Sequence, residues 1–198
     1  MADLRTDILK EIANVATGSA ATALSRMLDQ TVMINIPDVE IVPLSEVAEK
    51  LGGAEQPAVG VYFRMKGEIK GRVLLIFSRD TGHQIAAMLT GDKEVKEGPL
   101  KDLDKSSVME MGNIISNSYI NGLSQLLDMR ILPSVPYYAE DMLGAIIDFL
   151  LIELAEVSDQ AFLLRTELHA EKMNIKGHFI VFADDNFIQR IFERIGVN

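Results

Sequence analysis

EIANVATGSAATALSRMLD at residues 11–29 and EMGNIISNSYINGLSQLLD at residues 110–128 are the two stretches on which the reading of this chain turns. They align without a gap at an offset of 99, so that Glu11, Asn14, Leu24-Ser25 and Leu28-Asp29 meet Glu110, Asn113, Leu123-Ser124 and Leu127-Asp128. The register continues to Ile36-Pro37 and Val135-Pro136. Further on, IKGRV at residues 69–73 matches IKGHF at residues 175–179, now at an offset of 106. Matches in one order across the chain indicate an internal repeat, which constrains architecture before any motif does. The expectation is one domain over 1–198 made of two pseudo-symmetric repeats, about 1–90 and about 100–198, with a polar linker over 91–99.

Hydrophobic spacing assigns the elements. Leu4, Ile8, Ile12, Val15, Ser19, Ala23 and Met27 recur at helical intervals, as do Leu103, Val108, Met111, Ile115 and Leu123. Each helix is followed by a β-rich run ending near proline (31–42 and 129–138), then by a short helix (45–51 and 141–155). Two strands then form a hairpin (58–65 with 69–77, and 160–168 with 175–182), and a last helix closes each unit (81–89 and 185–195). The predicted fold is α+β, an antiparallel sheet carrying two long, related helices.

On a wheel at 100° per residue with Ile8 at zero, Ile12, Val15 and Ser19 fall within ~40° of it, an arc predicted to face the core. Asp7, Glu11 and Asn14 fall near ~260°, ~300° and ~240° and form a polar stripe beside that arc. Ser106, Glu110 and Asn113 repeat the stripe on the second helix. A solvated face accounts for one such stripe. Asparagine, however, is a poor helix former, and solvation gives no reason to keep the same Glu, Asn and distant Pro twice. A hydrogen bond from the asparagine to a neighbouring loop in each half accounts for the recurrence as well as chemistry does.

Composition excludes several classes. With 19 Lys+Arg against 29 Asp+Glu the net charge is −10, the wrong sign for gripping a phosphate backbone. The absence of cysteine removes disulfides, thiolate zinc sites and cysteine nucleophiles, and three histidines leave little for a histidine metal centre. The opening MADLRTDILK has no apolar signal core, and the most apolar stretch, 142–157, is interrupted by Asp148, Glu153 and Glu156. A soluble, cytoplasmic chain is expected.

The doubled pattern [Asp/Ser]-x3-Glu-x2-Asn-x22-Pro, carried by Asp7, Glu11, Asn14, Pro37 and by Ser106, Glu110, Asn113, Pro136, resembles that of the CheC/CheX/FliY family of chemotaxis phosphatases. The likeness runs through both copies and is closest to the CheC branch. It implies a phosphatase acting on the phosphoaspartate of the response regulator CheY. Hydrolysis of an acyl phosphate needs an in-line water and neutralised phosphoryl charge. The regulator supplies a lysine and its own Mg2+, so no cofactor of this chain is implied. Asn14 and Asn113 would insert and orient the water, since a carboxamide donates and accepts without adding charge. Glu11 and Glu110 would pair with the regulator's lysine. Pro37 and Pro136 would shape the strand beside each helix, or are edge-strand prolines and no more.

The resemblance implies a second partner, the receptor deamidase CheD, on a surface formed by Asp141, Met142 and Leu143. The plainer alternative is that Met142, Ile146 and Leu150 pack on the sheet and that Asp141 is an N-cap. Because Asp7 adds a second carboxylate to the first stripe where Ser106 is neutral, the second site is expected to be the stronger. The rival classes are a non-catalytic adaptor that clamps the same partners, and a metal-dependent hydrolase built on Asp184-Asp185 or Glu153 and Glu156, for which no ligand spacing is present.

Overall fold

The computed structural model describes residues 2–91, 98–154, 160–170, 173–183 and 187–195. Helix α1 spans Ala2–Leu28 and strand β1 Val32–Pro43; a 3-10 turn, Leu44–Glu46, leads into the short helix α2, Val47–Lys50. Strands β2 (Pro57–Gly67) and β3 (Gly71–Ser78) form the first hairpin, and α3 (Arg79–Thr90) follows. The second half runs α4 (Asp102–Leu126), β4 (Ile131–Pro133), β5 (Tyr137–Met142), α5 (Leu143–Leu154), β6 (Gln160–Ala170), β7 (Met173–Ala183) and α6 (Phe187–Ile195). The order of helices and strands is thus the same in both halves, except that one strand of the first corresponds to two in the second. Most of the predicted 91–99 linker lies outside the described residues.

All strand pairs are antiparallel, in the order β1-β6-β7-β3-β2-β4, with β5 also on β2. The hairpins meet in the middle through β3 and β7, and each half lends its outer strand to the other's hairpin: β1 pairs with β6, while β4 and β5 pair with β2. Neither half can complete its sheet alone, so the halves form one α+β domain.

Both faces of this sheet are covered, which is why β3 reads as a nearly continuous apolar run rather than an alternation. Val73, Leu75 and Phe77 point into a core shared with α1, α3, α4 and α6, while Leu74 and Ile76 point into a second one with α2 and α5. The apolar residues of β7 divide the same way, Phe179 and Val181 against Ile180 and Phe182. Among the described residues no helix is long and apolar enough to cross a membrane.

The long helices touch each other through small residues. Ala13, Ala16 and Ala20 are buried on α1, and a Cβ at Gly122 of α4 would lie 2.5 Å from Ala16 Cα, so only glycine permits this approach. A Cβ at Gly112 would sit 2.8 Å from that of Val61, which lets α4 settle on β2 one residue before Asn113. The arc predicted to face the core is corrected here. Leu9, Ile12, Ala13, Ala16, Ala20 and Leu24 are buried, whereas Val15 is 57% exposed and Ser19 is exposed. The alanines are the packing surface because α1 packs against a second helix as well as the sheet, so the core face is turned by roughly a quarter turn from the predicted one.

Two further expectations change. The strand predicted over 129–138 is split, with Ser134 bridging the gap: its N–H donates to Arg64 O at 2.9 Å and its Oγ accepts from Arg64 N at 3.0 Å. Pro133 and Pro136 flank it and have no N–H for a ladder. The helix predicted from 141 begins at Leu143; Asp141 and Met142 still belong to β5, opposite Ala58 and Pro57. Backbone carbonyls of Gln56 and Ala54 accept from the first α5 N–H groups, at Leu143 and Gly144, so Asp141 is not the cap.

Candidate functional site

Part of the repeated sequence is structural. After each long helix an aspartate takes a left-handed conformation, Asp29 at φ 50° and Asp128 at φ 47°, which Asp tolerates better than most residues. One turn earlier a serine accepts the first N–H of the returning strand, Ser25 Oγ from Val32 N at 2.9 Å and Ser124 Oγ from Ile131 N at 3.4 Å. With Leu24 and Leu123 fully buried, the repeated Leu-Ser and Leu-Asp pairs build the helix-to-strand turn.

The Glu/Asn stripes take no part in that turn. Asp7, Glu11, Ser106 and Glu110 are exposed; Asn14, Asn113, Pro37 and Pro136 are half-buried. Each stripe points away from the packed face of its helix, with the asparagine at the edge where the helix meets the sheet. The Ser106 hydroxyl donates back to Asp102 O at 2.9 Å. A groove of about 560 Å3 between α1 and α4, lined by Val15, Ser19, Ser118 and Asn121, adjoins the first stripe at Val15. A separate cleft of about 260 Å3, lined by Pro57, Ser78, Thr81, Leu143, Lys176 and His178, contains no stripe residue. Burial and the nearby Arg165 cation lower the pKa of His178 in that cleft.

The two asparagines differ. Opposite Thr166 of β6, β1 places two residues, Ile36 and Pro37, where the register slips between Asn35 and Asp38. This is a β-bulge, and Pro37 has no N–H to give the ladder. The Ile36 backbone turns to α1 instead: Asn14 Oδ1 accepts from Ile36 N at 2.9 Å, and Asn14 Nδ2 donates to Ile36 O at 3.2 Å and to Lys10 O at 3.0 Å. An asparagine amide offers two N–H groups and two oxygen lone pairs. Asn14 has both N–H groups and one lone pair engaged.

Asn113 has no counterpart of that strand contact. Val135, at the position of Ile36, is 71% exposed between β4 and β5, and its carbonyl accepts from Ser134 Oγ at 2.7 Å. Among the described residues Asn113 makes one side-chain hydrogen bond, its Oδ1 accepting from Asn117 Nδ2 at 2.6 Å. Both its N–H groups and one lone pair stay open toward the surface. The neighbouring-loop explanation for the repeated asparagine is therefore realised in the first half alone.

Asp141 and Met142 are exposed, but Leu143 is 3% exposed and belongs to the core beneath them. Sequence reading did not single out Phe149 and Ile152 of α5, which are 50% and 81% exposed; Phe149 lies against Tyr62, toward the Tyr137 end of β5. Asp184, Asp185 and Glu156, considered as metal ligands, lie outside the described residues, and the Glu153 side chain is likewise undescribed.

Comparison with known proteins divides the chain between two related descriptions. Residues 4–41, which hold the first stripe and Pro37, match the CheC-like family. Residues 59–146, which hold the second stripe and Pro136, match the family described as chemotaxis phosphatase CheX. The CheY-P phosphatase CheC of Bacillus subtilis is 27% identical over 196 residues, covering 97% of this chain and 94% of that one. Among solved structures, FliY of Thermotoga maritima superposes with a TM-score of 0.79 at 23% identity, over 96% of this chain and 95% of that one. The middle domain of FliM from H. pylori superposes at 0.63 and 12% identity, over 98% and 99%.

Proposed function

We propose, from the membership of this chain in the CheC/CheX/FliY family, that it is a hydrolase of the phosphoaspartate on a CheY-type response regulator. The observation that carries the reading is a half-buried asparagine one turn from an exposed glutamate, presented on the outer face of both long helices. A protruding helix face can enter the shallow pocket of a partner in a way that a recessed cleft cannot.

In this reading the regulator contributes its lysine and Mg2+, and this chain contributes the placement of water. Asn113, with two N–H groups and a lone pair open, donates to and accepts from a water held in line with the phosphorus–oxygen bond. The water oxygen bonds to phosphorus, the aspartyl carboxylate leaves with the bonding pair, and inorganic phosphate is released. Glu110 pairs with the regulator's lysine at the rim, and Ser106 adds no charge against the phosphoryl group. Asn14, Glu11 and Asp7 form the corresponding first site, and Pro37 and Pro136 shape its strand and that of the second. We read the matching halves as two copies of one unit, and the chain as acting in the cytoplasm.

The first site also supports the second reading, a clamp that binds a phosphorylated regulator without turnover, because Asn14 must break a bond to Ile36 or Lys10 before it can donate. The deciding experiment measures the lifetime of phosphoaspartate on a CheY-type regulator with and without catalytic amounts of the protein. Shortening that scales with protein and repeats over many turnovers supports hydrolysis, while a lifetime unchanged or lengthened by binding supports the clamp.

For CheD, the exposed Asp141 and Met142 at the end of β5 support a docking surface there, since an apolar anchor flanked by charge suits a protein interface. Asp141→Lys should abolish CheD capture in a pull-down and leave phosphoaspartate lifetime as in wild type. Capture equal to wild type would remove this surface.

A further inference from the structure

Positions 18 and 117 correspond at the offset of 99, yet the first is glycine and the second asparagine. A Cβ at Gly18 would meet nothing within 4 Å, so no steric reason keeps that position bare. At the corresponding place Asn117 is half-buried, and its Nδ2 donates to Asn113 Oδ1 at 2.6 Å. The helix brings residues four apart onto one face, so this contact needs nothing from the rest of the fold.

The two halves therefore hold their asparagines in different ways. Asn14 is held by the Ile36 backbone of a strand and by the Lys10 carbonyl of its own helix, with no side-chain partner on that helix. The strand of the second half is broken where it would reach Asn113, and a side chain on α4 takes its place. These supports leave different atoms available. The carbonyls of Ile36 and Lys10 together engage both N–H groups of Asn14, whereas Asn117 engages one lone pair of Asn113 and leaves its N–H groups outward.

An unsupported asparagine amide turns easily between two opposite orientations, because its terminal torsion is broad and roughly two-fold. We propose that Asn117 is a positioning residue of the second site: by donating to Asn113 Oδ1 it holds the carboxamide with its NH2 group toward the incoming phosphoryl group and water. It touches neither the substrate nor the water. This rests on the phosphatase reading for its consequence in turnover, while the contact itself can be tested without it.

The test uses the full chain with Asn14→Ala, so that turnover comes from the second site. Adding Asn117→Ala should lower the maximal rate of regulator dephosphorylation about tenfold, as loss of orientation does, with half-saturation by the regulator changed by less than about twofold. Asn117→Gln, which keeps a donor able to reach four residues back, should recover most of the rate. Asn117→Asp, which can only accept and so turns the Asn113 amide around, should fall below Asn117→Ala. A parallel readout, independent of turnover, follows the side-chain NH2 resonances by NMR: Asn113→Ala should shift those of Asn117, and Asn117→Ala those of Asn113. Resonances that ignore each other overturn the contact. Mutual shifts with an unchanged maximal rate overturn the positioning role. Mutual shifts in a chain that never shortens phosphoaspartate lifetime also overturn that role, and they place the failure in the phosphatase reading while the contact stands.

Discussion

The first and second stripes carry the same Glu and Asn at the same spacing, and the structure makes them unlike. Asn14 closes the β1 bulge, and three of the four hydrogen-bonding sites of its amide are satisfied inside the molecule. Asn113 stands beside a broken strand and uses one of its four, on a helix neighbour. A repeated residue therefore need not have a repeated job. In the first half the asparagine contributes to holding the strand; in the second it is free to work on something outside. On the phosphatase reading, the charge difference, Asp7 against Ser106, would favour the second stripe as well.

The largest expected effect removes both asparagines. Asn14→Ala with Asn113→Ala should slow regulator dephosphorylation by about 10²-fold or more, while circular dichroism and size-exclusion behaviour stay native. A folded double variant that turns over near the wild-type rate would end the water-orienting mechanism for both stripes.

Taken singly, the two substitutions should separate rate from stability. Asn113→Ala should remove most of the activity, about tenfold, at little cost in stability, since the groups it leaves are near the surface. Asn14→Ala should cost less activity but about 1–3 kcal/mol of stability, because it orphans the N–H and carbonyl of Ile36, a residue with no exposed surface. Denaturant titration of each variant, run beside the lifetime assay, checks both orders. If Asn14→Ala is the more damaging to rate and the less damaging to stability, the contrast is reversed.

A smaller effect is expected at the glutamates. Glu110→Lys should raise the regulator concentration for half-maximal rate several-fold, about 1 kcal/mol for a rim ion pair, and Glu11→Lys should raise it less. Saturation kinetics decide this; a fall in maximal rate with constant half-saturation at Glu110 rejects the docking role. The smallest effect belongs to the first motif position. In an Asn113→Ala background, Asp7→Ser should raise first-site activity by no more than about fivefold, the equivalent of ~1 kcal/mol for a partly screened carboxylate near an anionic phosphoryl group. A fall instead would mean that Asp7 helps Glu11 to hold the regulator's lysine.

Much of this molecule was legible from local pattern. The hairpins around 58–77 and 160–182 announce themselves by β-rich apolar runs with a turn between, and both appear within a few residues of the predicted bounds. Helix bounds were good where apolar spacing was regular and poor where a tertiary partner sets the end. Leu143 starts α5 because the carbonyls of Gln56 and Ala54 wait for its first N–H groups, which nothing near 143 in the sequence reveals. The face of α1 was misjudged because alanine carries little weight on a hydrophobic wheel, although it is what allows α1 and α4 to approach at Ala16 and Gly122. The resemblance puts Leu143 on a docking surface, whereas the structure buries it in the core at 3% exposure, because the start of α5 is turned toward the sheet.

By itself the sequence determined the order of elements and the two polar stripes, because these depend on periodicity within a helix turn or a strand pair, and it carried the family resemblance in the residues of the doubled motif. Tertiary structure alone decided that each half completes its sheet with a strand of the other, and that Asn14 is bound while Asn113 is open. The physical reason is range. Asn14 finds its partner 22 residues away, at a bulge whose position is set by pairing Asn35 with Glu167 and Asp38 with Arg165 across the chain. No local pattern encodes a register between such distant strands, whereas the Asn113–Asn117 contact, four residues apart on one helix, was there to be read.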